Sequence, residues 1–146
     1  MAGVGLEADP RLGGQDVAYD RYGSFHRYRF LGDLEVMIAQ FADSAIAAAR
    51  AREEFKVQQA NGKAGVSMGN VLQFSVDEEA VAGNDCWTAW ILRAEGRCIV
   101  RVGFSTGRYY AAILWDADGG KEKVAGTKEK ASRAARYIAG KLNRTR

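Results

Sequence analysis

The chain reads as a single α+β domain: a long N-terminal helix, an antiparallel β-meander of three to four strands, and a basic amphipathic C-terminal helix packed on the sheet. Three observations predict it. Cys86 to Trp115 alternates apolar and polar residues around two glycine-bearing turns, Glu95-Gly96 and Thr106-Gly107, as a meander requires. Leu34, Ile38, Phe41, Ala45, Ala48, Arg52 and Phe55 recur at the three- and four-residue spacing of a helix. Ala131, Ala134, Ala135, Ile138, Ala139 and Leu142 form a second apolar stripe, opposite Lys130, Arg133, Arg136 and Lys141.

Residues 1–30 read as a flexible or irregular leader, glycine-bearing and holding the only proline, Pro10. Its end, Tyr19 to Phe30, interleaves aromatics with cations, which suits core filling at a domain edge or stacking on bases beside phosphates. The domain proper spans 31–146. Asp33 is the expected N-cap of the long helix, and Asn61-Gly62 its stop. Val71 to Val76 reads as a strand, and Asp77 to Gly83 as a turn or loop.

In the meander, two-residue turns place Ala94 opposite Arg97 and Ser105 opposite Arg108. Trp87, Ala89 and Ile91 then share a core face with Val100, Val102, Phe104, Tyr109, Ala111 and Ile113. Trp90, Arg101 and Tyr110 fall on the opposite face. Asp116 to Gly120 is a further turn and Lys121 to Ala125 a short fourth strand. Thr127 is the expected cap of a helix running to about Leu142.

With 146 residues and 47% hydrophobic content, the chain supports one domain with a real core. No apolar run approaches the roughly 20 residues of a membrane-spanning helix, and Met1 to Gly14 lacks a secretory pattern. No membrane partner is expected. Cys86 and Cys98 lie at opposite ends of the meander and are expected to be unpaired, which fits a reducing, cytoplasmic compartment. The net charge of +3 hides an asymmetry: residues 121–146 hold nine Lys/Arg against two Glu, and residues 1–120 hold twelve against sixteen acidic groups. A basic end on an acidic body favours a polyanionic partner.

Motifs for chemistry are sparse. Asp116-Ala-Asp-Gly-Gly120 begins like a calcium loop, but the twelfth position is Thr127 where a bidentate Glu is needed. Gly103 to Gly107 and Gly119-Gly120-Lys121 lack the spacing and strand-to-helix setting of a phosphate loop. The single histidine, His26, has no nucleophile beside it, and neither Glu53-Glu54 nor Glu78-Glu79 is spaced for acid–base work. Catalytic residues, metal and cofactor are accordingly expected to be none.

Gly107-Arg-Tyr-Tyr-Ala-Ala-Ile113, the Asp116–Lys121 turn and Gly126-Thr127 leading to Ala134-Ala135 together resemble the AP2-type DNA-binding domain, three strands followed by a helix. That resemblance covers about a quarter of the chain and implies base contacts from Arg101, Arg108 and Trp90. The family's Ala-Tyr-Asp helix signature is absent, so membership is not assigned.

The leading expectation is a non-catalytic binding module for nucleic acid or another polyanion. Its contacts would come from Arg101, Arg108, Lys128, Lys130, Arg133 and Arg136, with Trp90 and Tyr110 as stacking or interface groups. One alternative is a homodimeric interaction module using the Trp90/Arg101/Tyr110 face or a strand edge. Another is a small-ligand binder with a pocket between long helix and sheet, lined by Trp87, Phe104, Tyr109 and Trp115. Should the long helix cover the second face, Arg101 is expected to reach a carboxylate such as Glu35 or Asp43.

Overall fold

The computed structural model describes residues 15–20, 23–30 and 34–144. Three strands come first: β1 (Gln15–Asp20), β2 (Gly23–Phe30) and β3 (Leu34–Phe41). Helix α1 (Ser44–Ser67) follows, then β4 (Val71–Glu78), β5 (Asn84–Arg93), β6 (Arg97–Thr106) and β7 (Tyr109–Asp118). A 3-10 turn at Lys121–Lys123 leads into α2 (Val124–Arg144). The strands form one antiparallel sheet of seven in the order β1-β2-β3-β7-β6-β5-β4.

The α+β class, the antiparallel sheet and the C-terminal helix packed on it agree with the sequence-based expectation. The element order does not. Residues 34–41, read as the start of a helix, form β3 between β2 and β7. Leu34, Ile38 and Phe41 satisfy a helical period, but Leu34, Val36 and Ile38 also alternate. Branched Val36 and Ile38 fit a pleated surface, where pairing on both sides decides the outcome. Asp33, the expected cap, lies outside the described residues. Asp43 caps α1 instead, its carboxylate accepting from the Ile46 amide at 2.9 Å. The expected irregular leader contributes β1 and β2, while residues 1–14 lie outside the described residues. Lys121 to Ala125 is not a fourth strand but the 3-10 turn and first residues of α2, so Thr127 is a buried residue within that helix rather than its cap. Val71 to Val76 is a strand, as expected, at one edge of the sheet.

Each sheet face carries a helix. On one, Val36, Val100, Val102, Phe104, Ala111 and Ile113 pack against Ala131, Ala135, Ile138 and Leu142 of α2. On the other, Ala39, Phe41 and Tyr110 pack against Ala47 and Ala51 of α1. Tyr110 and Ala111 are adjacent in β7, so their side chains define opposite faces. Because α1 links β3 to the distant edge strand β4, it must cross β7, β6 and β5. Small residues let it approach closely: a Cβ on Gly62 would come within 2.4 Å of the Phe74 ring, and one on Gly65 within 2.5 Å of Val71.

Both hairpin turns differ in detail from the expectation, and this moves side chains. The β5–β6 loop holds three residues, Ala94 to Gly96, with Gly96 at φ 85° and its amide bonded to the Arg93 carbonyl. The extra residue shifts the pairing by one: Trp87 faces Gly103, Ala89 faces Arg101 and Trp90 faces Val100. A one-residue slip exchanges the two faces of β5. The β6–β7 turn is Gly107-Arg108, with Gly107 at φ 53° as a type II′ turn requires, so Thr106 faces Tyr109. That shift of two keeps the β7 faces as expected.

Candidate functional site

The slip in β5 separates residues that the sequence grouped together. Trp90 lies on the α2 face with Val100, whereas Arg101 and Tyr110 lie beneath α1, so the three do not share a surface. The expected pocket is divided in the same way. Trp87 faces α1, while Phe104, Tyr109 and Trp115 belong to the core against α2. The second face is neither bare nor open to a partner over Tyr110, which is 1% exposed under α1.

Nor do the six expected polyanion contacts form one patch. Arg101 is under α1 and its Nη1 donates to Gln58 Oε1 at 2.9 Å. Arg108 sits in the β6–β7 turn, where its Nε donates to the Phe41 carbonyl at 2.9 Å. Lys128 pairs with Glu79 at 2.6 Å, and the same carboxylate oxygen accepts from the Thr88 hydroxyl. Lys130 lies over the Trp115 ring at 5.8 Å, and Arg133 pairs with Glu129 one helical turn back. Lys130, Arg133 and Arg136 are exposed along α2.

What the fold brings together instead is a cavity of about 220 Å³ between α1 and the sheet. Arg101, Trp87 and Tyr110 contribute from β6, β5 and β7, Met37 and Ala112 supply apolar wall, and Glu54 and Gln58 enter from α1. Glu35 of β3 lines it as well. The indole of Trp87 packs against Gly103, where a Cβ would meet the ring at 2.3 Å. Two donors of these residues, Arg101 Nε and Trp87 Nε1, are shut away from solvent and meet no acceptor from the protein. Trp87 also borders a second cavity of about 440 Å³ toward Arg52, Lys56 and Asp85.

Electrostatics define the site further. Burial lowers the Arg101 pKa, and the nearby Glu35, Tyr110 and Glu54 oppose that shift. An arginine retains its charge under such pressure, so the cavity contains a fixed cation facing two carboxylates. Glu54 is also paired with Arg50 at 3.1 Å. Burial, with Glu54 adding to it, pushes the Tyr110 phenol far above its ordinary value, so it stays a neutral hydroxyl.

Among the described residues, the two thiols are not poised for covalent chemistry. Cys86 and Cys98 are buried free thiols, and burial raises both pKa values, the reverse of what an activated nucleophile needs. Asp116 and Asp118 both hold Arg97 across the β6–β7 pair, at 2.7 and 2.5 Å. Among the described residues no cluster of three or more His, Cys, Asp or Glu could hold a metal ion. No helix among them is long and apolar enough to cross a membrane.

Sequence reasoning had named Arg101 and Tyr110 but missed Gln58, Glu54 and the placement of Trp87. The available signal was a second helical phase, Ala47, Ala51, Glu54, Gln58 and Gly62, in which a glutamine follows a stripe of small residues.

No family model and no curated protein matches the chain. Among solved structures it is similar to the extracellular domain of PknH from Mycobacterium tuberculosis, with 11% identity and a TM-score of 0.49. The match covers 82% of this chain and 66% of that one.

Proposed function

We propose that this domain is a non-catalytic small-molecule-binding module whose site is the cavity between α1 and the sheet. One observation carries the reading: the cavity between α1 and the sheet gathers Arg101, Gln58, Glu35 and Glu54 beside the apolar walls of Met37, Ala112 and Leu114, the mix of a few polar groups and apolar surface that small-molecule sites use. At about 220 Å³ the space is below the roughly 300–1,000 Å³ of drug-sized sites and suits a metabolite-sized compound. A cytoplasmic setting belongs to the same proposal, supported by the two unpaired buried thiols.

Ligand-observed NMR with mixed small metabolites tests it. Wild type is expected to show saturable hits that vanish in Ala112→Phe, which fills the cavity without removing a polar group. Hits that persist in that variant, or no hit at all, would contradict the reading.

Polyanion binding is a second reading, favoured by Lys130, Arg133 and Arg136 exposed together on α2. It calls for anisotropy measurements with labelled DNA and RNA. Three phosphate contacts predict affinity falling roughly 40-fold between about 50 and 200 mM salt. Salt-independent binding, or none to either nucleic acid, rules it out.

A further inference from the structure

We infer that two copies of this chain join antiparallel along β4, across a two-fold axis at Phe74. The inference is independent of the cavity reading. β4 ends the sheet, and no strand among the described residues lies beyond it. The backbone groups on its outer side have no strand to pair with, the condition under which an edge templates another chain. Exposed apolar side chains gather at the start of this edge. Leu72 is 70% exposed, Met68 in the turn before it 73%, and Val66 at the end of α1 46%. The two other large apolar side chains exposed among the described residues, Val57 and Tyr137, lie within α1 and α2. Leu72 is the extra residue of a bulge, where pairing steps from Val71–Arg93 to Gln73–Leu92, so it has no partner on β5.

The pattern of β4 fits its own copy. Alternation sets Leu72, Phe74 and Val76 on one side, the α1 side, where Phe74 packs on Gly62. Gln73 and Ser75 fall on the other. The order of apolar and polar residues is thus the same in both directions about Phe74. Antiparallel pairing centred there puts Leu72 against the partner's Val76, Phe74 against the partner's Phe74, and Gln73 against the partner's Ser75. A two-fold contact needs this self-complementarity, and it closes after two chains. The charges agree with it. Asp77 and Glu78 are exposed at the C-terminal end of β4, and antiparallel pairing sends them to the N-terminal end of the partner's strand rather than against their own copies. Gly62 packs on Phe74 and Gly65 on Val71, so the exposed Lys63 between them lies at that end. Lys63 keeps the flank of α1 on which Lys56, seven residues earlier, lines a cavity with Glu78.

Sedimentation equilibrium of the full chain over about a hundredfold range of concentration tests the inference. A reversible monomer–dimer equilibrium with no larger species is expected, since a two-fold contact closes. Leu72→Glu, at an exposed position, keeps the fold and should weaken association about tenfold or more. Val76→Lys should do the same, its long stem covering the half-buried site. The double variant sets opposite charges across the interface at both ends of the ladder, and should associate about two- to thirtyfold more tightly than either single variant. Such a rescue identifies the Phe74-centred register, which a loss of stability would not produce. A single-chain mass at every concentration would overturn the inference and leave the edge to a strand of another protein. A dimer indifferent to both single variants would place the contact elsewhere and overturn it too, as would a double variant no tighter than the single ones.

Discussion

At position 103 the backbone of β6 carries no side chain, and the Trp87 indole occupies the space a side chain would need. That packing keeps the ring 1% exposed and shuts its N–H away from solvent. Gly103→Ala would force its methyl to within 2.3 Å of the ring, so the ring or the strand must move. Overpacking of this kind costs about 1–3 kcal/mol. Denaturant midpoints should show that loss in Gly103→Ala, and a smaller loss when Trp87→Leu is already present, because the clash is then gone. An equal loss in both backgrounds would mean that the indole does not depend on this glycine. Arg101 is held in a different way, by one bond from its Nη1 to Gln58 and by the field of two carboxylates.

Among the elements, α1 and the β5–β6 hairpin show what was legible in the sequence and what was not. The meander was legible, because β5, β6 and β7 alternate and their loops carry glycine. Its register was not. Glu95-Gly96 is compatible with a two-residue or a three-residue loop, and only pairing along the whole of β5 and β6 selects between them. The one-residue difference moved Trp90 from beside Arg101 to the α2 core and brought Trp87 into the cavity. The start of α1 was misplaced for a related reason. Leu34 to Phe41 satisfies both a helical and a strand period, and its partner β7 is too distant in sequence for a local pattern to reveal. The C-terminal helix was legible from Thr127 onward, since its apolar stripe is long and is interrupted only on its solvated face, but its start at Val124 was not. Arg101 and Tyr110 could be placed on one face from the β6–β7 hairpin, whose shift of two residues preserves it.

Over the whole molecule, the arrangement is a sheet with both central faces covered, α2 on one side and α1 on the other. Among the described residues, burial holds Cys86, Cys98 and Tyr110 neutral. Each has a folded-state pKa above its unfolded value, so its contribution is fully present below the unfolded pKa and declines above it. In the unfolded chain the thiols lose their protons near pH 8.5 and the phenol near about pH 10, while the folded state retains them. The native state then binds more protons than the unfolded one, and stability falls by up to about 1.4 kcal/mol per pH unit for each such group. Unfolding free energy should be level from about pH 7 to 8 and fall above about pH 9, with the steepest part reduced in Tyr110→Phe. A stability that stays level to pH 11 (about one unit past the free phenol) would contradict the buried, neutral state of these groups.

The central claim, that the cavity beneath α1 is a binding site, is tested most directly by comparing ligand-observed NMR of the wild-type chain and Ala112→Phe under identical conditions. Ala112 lies in the cavity wall opposite Gly103, so a phenyl ring there occupies the space while Arg101, Trp87, Glu35 and Glu54 remain. The structure predicts saturable small-molecule binding by the wild type and its loss in a variant that keeps its fold. Undiminished binding by Ala112→Phe would place the ligand elsewhere on the molecule and contradict the claim.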